Sequence, residues 1–469
     1  MSTSTGYTAA DVVAWCSGTL LSGSPETTLS GLSIDTRSVS SGQLFAAIVG
    51  PHHDAHEYLS QAIDSGAGGL LIETDRVAGW DPAGELPVIA VANTTRGIGD
   101  LAAGHRRRFS GTVVALTGSS GKTTTKEMTA SVLETDGPCL KTRGNLNNDY
   151  GVPLTLLSRE ESQLRAVIEL GMNHRGEIAR LAEIAQPDIG CVINVGTAHI
   201  EYLGSLDEIA AEKGDLFAAL PKGGRAIANW DDPKVRQQST RAACEIVSFG
   251  INPGAMVRAV DVRFEPEGLF HFTLTTPRGQ AEARVCGLGG TTVINALAAA
   301  ATGLACGLDP DALVSGLANY RGIAGRMSKR SLGRKITLID DSYNANPQSM
   351  NAAIESLADL RGQGRAIAVL GEMAELGDAA ELEHRAAGKH IFESGISLLL
   401  TVGDGARGIA EGAVSAGMPI EQVHCCGTHE AAVSILADSS QEGDWILVKG
   451  SRSSQMERVV EMLAHEGTG

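Results

Sequence analysis

The sequence predicts an α/β protein of three domains built on parallel sheets, and three observations predict it. Short apolar runs recur at 113–116, 166–170, 191–195, 336–339, 366–370, 398–402 and 445–448, each separated from the next by a helix-length stretch. Nearly continuous apolar strands alternating with helices are the pattern of sheets covered on both faces. Glycine supplies 57 of the 469 residues, enough for many strand-to-helix turns. Basic, polar breaks at 105–108 and 320–335 divide the chain into residues 1–110, 111–327 and 328–469, each of ordinary domain size.

Composition narrows the partners. With 55 acidic against 38 basic residues the formal charge is −17, which argues against a general nucleic-acid or membrane-surface role and leaves anionic small molecules wherever Arg and Lys cluster. Residues 1–10 lack a basic start followed by an apolar stretch, and the Ala-rich run at 294–308 is too short to cross a bilayer. A cytoplasmic protein is expected, acting as a monomer on small molecules without nucleic acid or stable membrane insertion. The eight cysteines form no C-x-x-C pair, so reduced, mostly buried thiols are expected, with Cys425 and Cys426 packing in a strand.

The first strong local signal follows the run T-V-V-A at 112–115. Residues 116–125 read L-T-G-S-S-G-K-T-T-T, the order of strand, glycine loop and helix start that a nucleotide phosphate site requires. Gly118 and Gly121 allow a tight curl whose N–H groups, with those of Ser119, Ser120 and Thr124, face phosphate oxygens. Lys122 reaches the β and γ phosphates, and Thr123 offers its hydroxyl to Mg²⁺. Met128 and Val132 start the apolar stripe that anchors the following helix. One departure is visible: Leu116 stands where a standard P-loop has its first glycine. A mere glycine turn capped by threonines leaves the register of lysine and hydroxyl unexplained.

Polar residues end later strands, where open α/β sheets place ligands. Glu169 ends R-A-V-I-E, a position for an acid that holds Mg²⁺. His199 closes I-N-V-G-T-A-H and can supply a second ligand, although a lone histidine is ordinarily a loop or core residue. Lys213, in A-A-E-K-G-D, reads on its own as a solvated helix lysine.

Longer motifs carry a resemblance. T-G-S-S-G-K-T-T, then G-N-L-N-N-D-Y-G-V-P at 144–153, I-E-L-G-M-N-H-R-G-E-I at 168–178 and I-N-V-G-T-A-H at 193–199 resemble the Mur ligase family. D-D-S-Y-N-A-N-P at 340–347, L-G-E-M-A-E-L-G at 370–377 and V-K-G-S-R-S at 448–453 are similar to the branch that adds D-alanyl-D-alanine. The resemblance implies an ATP-dependent ligase that extends UDP-N-acetylmuramoyl-tripeptide to the pentapeptide through an acyl phosphate, in peptidoglycan synthesis and so in cell-wall biogenesis, cell shape and division. It also implies a small α/β N-terminal domain for the UDP substrate, a central P-loop domain and a Rossmann-like C-terminal domain.

The resemblance assigns residues as well. Thr123, Glu169 and His199 match metal or phosphate positions, and Lys213 matches a lysine carried as a carbamate, which turns a cation into a metal ligand. Asn295 matches an adenine neighbour, Arg326 an arginine at the γ-phosphate, and Asp341 with Ser342 and Tyr343 a nucleotide segment. Asn344 and Asn346 face the dipeptide; Lys449, Ser451 and Arg452 meet phosphate or the dipeptide carboxylate, or else form a structural turn. Asp35, Thr36 and Arg37 resemble a UDP-binding D-S-R segment, with threonine in place of serine. Asn145, Asn147, Asn148, Asn173 and His174 orient the muramoyl peptide.

Three further features read as decoys. G-D-G-A-R-G at 403–408 is a dinucleotide-type fingerprint with Glu430 near the place of a ribose acid, but such turns are common. Glu212-Lys213-Gly214-Asp215 echoes the guanine-reading N-K-x-D with Glu for Asn, so ATP is preferred. His52, His53 and His56 lack zinc spacing and read as an exposed loop. The remaining alternatives are another Mur ligase, a folylpolyglutamate synthetase-like ligase, or a nucleotide-gated binding protein without turnover.

Overall fold

A computed structural model describes residues 6–76, 84–265 and 268–466. The strand-and-turn pattern condenses into three main sheets. The central one has nine strands; from one edge to the other these are Gly279–Cys286, Leu269–Thr276, Val257–Glu265, Glu245–Gly250, Arg225–Asn229, Ile189–Val192, Thr112–Thr117, Arg165–Glu169 and Cys139–Lys141. The pairs from Cys139–Lys141 to Val257–Glu265 are parallel, and the last two strands close the edge as an antiparallel meander. Because the chain moves to one side of Thr112–Thr117 and then returns to the other, a crevice opens at that strand's carboxyl end, where ligands of such sheets bind.

The strand Thr112–Thr117 is almost wholly buried, and Met128 and Val132 of the following helix Lys122–Leu133 are 0% exposed. Burial of each such side chain contributes roughly 1.5–3 kcal/mol. This anchors the helix and holds its N-terminus at the crevice.

A five-stranded N-terminal sheet runs Thr19–Ser22, Val88–Val91, Gly69–Glu73, Leu44–Ala46, Leu32–Ser33. A six-stranded C-terminal sheet runs Ser328–Ser331, Thr337–Asp341, Trp445–Lys449, Ala366–Leu370, Leu398–Val402, Val423–Cys426, with only its first strand antiparallel. The N-terminal and central sheets share one apolar core: Ile98, Leu101 and Ala102 belong to the same cluster as Leu156, Leu181 and Ile184. The C-terminal sheet has two clusters of its own and meets the rest through Leu288, Ile200 and Met327.

Both predicted breaks carry structure. His105 and Arg106 are buried at the end of the helix Thr94–Arg106, where Arg106 donates to the carbonyls of Ala185, Phe109 and Gln186 and pairs with Asp188 at 2.9 Å. This is a welded joint. The stretch at 320–335 contains the strand Ser328–Ser331, which belongs to the C-terminal sheet. No helix among the described residues is long and apolar enough to cross a membrane. Cys426 is buried, but Cys425, expected to pack, is exposed, because successive strand residues face opposite sides.

Candidate active site

The crevice is a cavity of about 1060 Å³ between the central and C-terminal sheets. On its central side, Gly121 caps the P-loop helix at φ +76°, in the left-handed region, and a Cβ there would stand 2.6 Å from Asn295 Oδ1. Gly118 is required for space instead, since its Cβ would approach that of Ile193 to 3.1 Å. Asn194 grips the loop through both its amide atoms, accepting from the Ser120 N–H at 2.9 Å and donating to the Ser120 carbonyl at 3.1 Å. Ser119 Oγ donates to the Gly196 carbonyl at 3.0 Å. Lys122 folds back to donate to the Gly118 carbonyl at 2.7 Å. Burial pulls its ammonium below the usual lysine range, and nearby Glu169 acts in the opposite direction.

Glu169 is 2% exposed. Asn147 donates to its Oε1 at 2.9 Å, Thr142 Oγ1 accepts its backbone N–H at 2.9 Å, and its Oε2 is buried without a hydrogen-bond partner. Lys126, also buried, donates to the Thr142 carbonyl at 2.7 Å and so braces this acid from behind. Lys213, on the helix Leu206–Ala218, is not a solvated lysine: it is 1% exposed and its Nζ has no hydrogen-bond partner. Burial, reinforced by the Lys122 charge and only partly offset by Glu212, drives its ammonium well below the usual range. His199 lines the cavity and starts the helix Ile200–Leu203. Glu169 lines the cavity whereas Lys213 stands outside its lining, and an unpaired buried carboxylate oxygen or amine is costly unless something binds it.

The C-terminal side supplies the opposing wall. Arg326 Nη2 lies 3.4 Å from Thr123 Oγ1, and its guanidinium stacks 4.1 Å above the Tyr343 ring. Arg452 approaches the same ring at 5.9 Å. Asn346 caps the helix Pro347–Leu360 and donates to the Ser119 carbonyl at 3.3 Å, tying that helix start to the P-loop. Asn344, Asp341 and Lys449 also line the cavity. The Lys449 ammonium, however, is already held between Asp341 Oδ2 at 2.5 Å and the Asn344 carbonyl at 3.0 Å.

The fold thus gathers Ser119, Ser120, Gly121, Lys122, Thr123, Thr124, Asn145, Asn147, Glu169, Asn173, His199, Asn295, Arg326, Asp341, Tyr343, Asn344, Asn346, Lys449 and Arg452 around one cavity. Other expected residues stand outside its lining. Ser451 is buried and spends its hydroxyl on Ser453 and Ser454, the structural-turn alternative. Asn148 accepts the N–H groups of Tyr150 and Gly151 at the start of the helix Gly151–Leu157. His174 is exposed against Glu177 and Tyr202. Asp35 and Arg37 pair with each other at 2.6 Å on the N-terminal sheet's surface, beside Thr36, and that bond holds the Asp35 carboxyl down at about 2.

The decoys resolve. His52 and His53 are exposed as expected, whereas the His56 ring is largely covered: its Nε2 accepts the Glu73 N–H at 2.9 Å while Nδ1 meets Asp54 at 2.6 Å. At Gly405 a Cβ would lie 2.0 Å from Glu372 Oε2, so a carboxylate stands where a dinucleotide pyrophosphate would need to sit. Glu430 pairs with Arg458 at 3.1 Å. Glu212 accepts the N–H groups of Gly176 and Ile178, both at 2.8 Å, and Asp215 pairs with Arg241, so that segment is a helix interior.

Sequence reasoning passed over three contributors. Glu375 enters the cavity beside His199, Tyr320 lines its inner end, and Gln348 packs so closely on Gly196 that a Cβ there would lie 1.6 Å from its Oε1. Glu375 stood within a motif that had been singled out, but nothing local marked which acid faces inward. Among the described residues no cluster of three or more His, Cys, Asp or Glu forms a ready-made metal cage.

The Mur ligase middle domain matches residues 116–303, and the Mur ligase glutamate ligase domain matches residues 325–452. A UDP-N-acetylmuramoyl-tripeptide–D-alanyl-D-alanine ligase of Escherichia coli is 39% identical over 94% of this chain and 95% of its own. The crystal structure of MurF from Acinetobacter baumannii superposes with a TM-score of 0.89 at 33% identity, covering 99% of this chain and 100% of that one. MurF of Thermotoga maritima in complex with ADP gives 0.82 at 27% identity, with 93% and 98% covered.

Proposed function

The chain belongs to the Mur ligase family and is an ATP-dependent amide ligase of its D-alanyl-D-alanine-adding branch, and we propose that the cavity between the central and C-terminal sheets is where it extends UDP-N-acetylmuramoyl-tripeptide. One observation carries the assignment of the site. Lys122 and the unpaired Glu169 oxygen face Arg326, Tyr343 and Asp341 across a single crevice, with the unpaired Lys213 amine buried near Lys122 just outside its lining.

In this reading residues 1–110 hold the UDP end, with Arg37 meeting the pyrophosphate, residues 111–327 hold ATP, and residues 328–469 bring the dipeptide. The tripeptide's terminal carboxylate oxygen attacks the γ-phosphorus and ADP leaves. The dipeptide nitrogen then attacks the acyl carbon, loses a proton and expels phosphate. Lys122 leaves the Gly118 carbonyl to neutralise phosphate charge, while the N–H groups of the P-loop and the helix N-terminus cradle the β-phosphate. Arg326, preorganised over Tyr343, meets the transferring γ-phosphoryl group. Asn295 and the Asp341 segment border the nucleoside, and Asn147 keeps Glu169 aimed inward.

Thr123, Glu169, His199 and a carbamate on Lys213 would hold Mg²⁺, which when bound offsets charge on the phosphates. The donor set fits. Lys213 is buried beside another ammonium, which favours its neutral, nucleophilic amine; attack on CO₂ with loss of a proton turns an unpaired base into an anion. The localisation that goes with these substrates is cytoplasmic, with a monomer acting on small molecules and no nucleic acid.

Phosphate release with ATP, Mg²⁺ and UDP-N-acetylmuramoyl-tripeptide tests the reading. Release and a pentapeptide product only on adding D-Ala-D-Ala, absent in Lys122→Ala, is the expected result. Release with D-Ala, L-Ala or D-Glu alone would move the chain to another branch, and no substrate-dependent release would leave a binding protein without turnover.

A further inference from the structure

Glu375 and His199 meet across the cavity from different sheets, with Glu375 Oε2 2.5 Å from His199 Nδ1. The carboxylate meets the ring nitrogen at short range but off the axis of a straight hydrogen bond. Both residues adopt left-handed backbone conformations, φ +62° and +64°, that side chains other than glycine rarely take. Such strain persists only where the surroundings impose it, and it gathers at functional contacts.

A second contact lies alongside. The helix Ile200–Leu203, which His199 starts, abuts the turn Gly377–Ala379: Ile200 packs against the C-terminal core, and a Cβ on Gly377 would lie 3.0 Å from Glu201 Cγ. The loop bearing Glu375 is built from behind. Buried His384 accepts the Met373 N–H at 2.8 Å through Nε2 and donates from Nδ1 to the Ala380 carbonyl at 2.7 Å, while the Glu372 carbonyl accepts the Ser451 N–H at 2.8 Å. Glu375 is therefore presented by a braced scaffold, and the facing His199 holds its carboxyl below the usual range.

We propose that Glu375 is a positioning residue that reaches from the C-terminal sheet to orient the His199 ring, keeping Nε2 for the cavity, and so completes the site only when that sheet closes on the P-loop. A carboxylate behind a histidine fixes ring orientation, and loss of such a partner typically costs about 10–100-fold. The separate core of the C-terminal sheet lets it move as a body, with closure read out at His199 through this contact. Only the activity arm of the test rests on the ligase reading.

The whole chain is compared as wild type, Glu375→Gln and Glu375→Ala by small-angle scattering with and without ADP, and by steady-state kinetics. The expected result is a nucleotide-dependent contraction in wild type that Glu375→Ala loses. In that variant kcat falls about tenfold or more while KM for ATP stays within about twofold, and Glu375→Gln recovers part of both. Unchanged contraction and turnover in Glu375→Ala, or equal compactness in every sample, would overturn the proposal. A rise confined to KM for D-Ala-D-Ala would also overturn it, by making Glu375 a dipeptide contact. If Glu375→Ala melts early without nucleotide, Glu375→Gln decides: a variant with wild-type melting must still lose contraction and kcat. A wild type lacking dipeptide-dependent turnover overturns the ligase reading and leaves the scattering arm to judge this one.

Discussion

Lys449 Nζ sits 2.5 Å from Asp341 Oδ2, and the two side chains are 2% and 11% exposed. The pair joins the ends of neighbouring parallel strands, where Asp341 also accepts the Met327 N–H at 3.0 Å. Lys449 thus spends its charge on shaping the nucleotide wall. Removing one member of such a pair strands a buried charge at a cost of about 3–5 kcal/mol. Lys449→Met should lose stability of that order in urea denaturation and raise KM for ATP; a variant as stable as wild type would show that Asp341 has other support.

Lys213 makes stability depend on pH with a definite sign. Its ammonium in the folded chain lies well below the ordinary 10.5, so between the depressed value and 10.5 the unfolded chain carries a proton that the folded chain lacks. Stability therefore rises with pH across that window, and the penalty is gone above 10.5. In CO₂-free buffer Lys213→Met should be more stable than wild type at neutral pH, with the gap narrowing as pH rises, while ligase activity is lost. Urea titrations from pH 7 to pH 10 read the slope directly, and parallel curves for the two proteins would refute it.

Gly121→Ala places a methyl group 2.6 Å from Asn295 Oδ1 at φ +76°. Asn295 must move, losing the bond it accepts from Thr125 Oγ1 at 3.2 Å. Strain of about 1–3 kcal/mol at the P-loop is expected. It should appear as weaker ADP binding in calorimetry, with the far-ultraviolet circular dichroism unchanged.

Arg326→Lys keeps a charge but loses the planar fork that stacks 4.1 Å above Tyr343. About 1–2 kcal/mol of positioning should go, or roughly tenfold in kcat/KM for ATP. Tyr343→Leu should reproduce part of that loss, and full activity in Tyr343→Leu would remove the stacking argument.

Much of the site was legible because its signals are local. A strand, a glycine turn and a helix start occupy consecutive residues, and Glu169 stands at a strand end where parallel sheets expose ligand groups. The C-terminal residues Arg326, Asp341 and Tyr343 came from long motifs shared with a family. Some structure was readable and overlooked: Leu269–Thr276 alternates buried with half-buried residues, the period of two that marks a strand. Asn148 and Ser451 were legible only as polar residues in motifs, and their hydrogen bonds turn out to hold loops.

By itself the sequence determined the α/β class, the P-loop with Lys122 and Thr123, and the strands that carry Glu169 and Asp341, since each depends on periodicity and turn chemistry within a few residues. Tertiary structure alone decided that Lys213 is buried without a partner, that Lys449 is committed to Asp341, and that Glu375 faces His199. Those outcomes depend on which surfaces meet when separate sheets pack. Burial and charge pairing are properties of that meeting, and no local spacing encodes them.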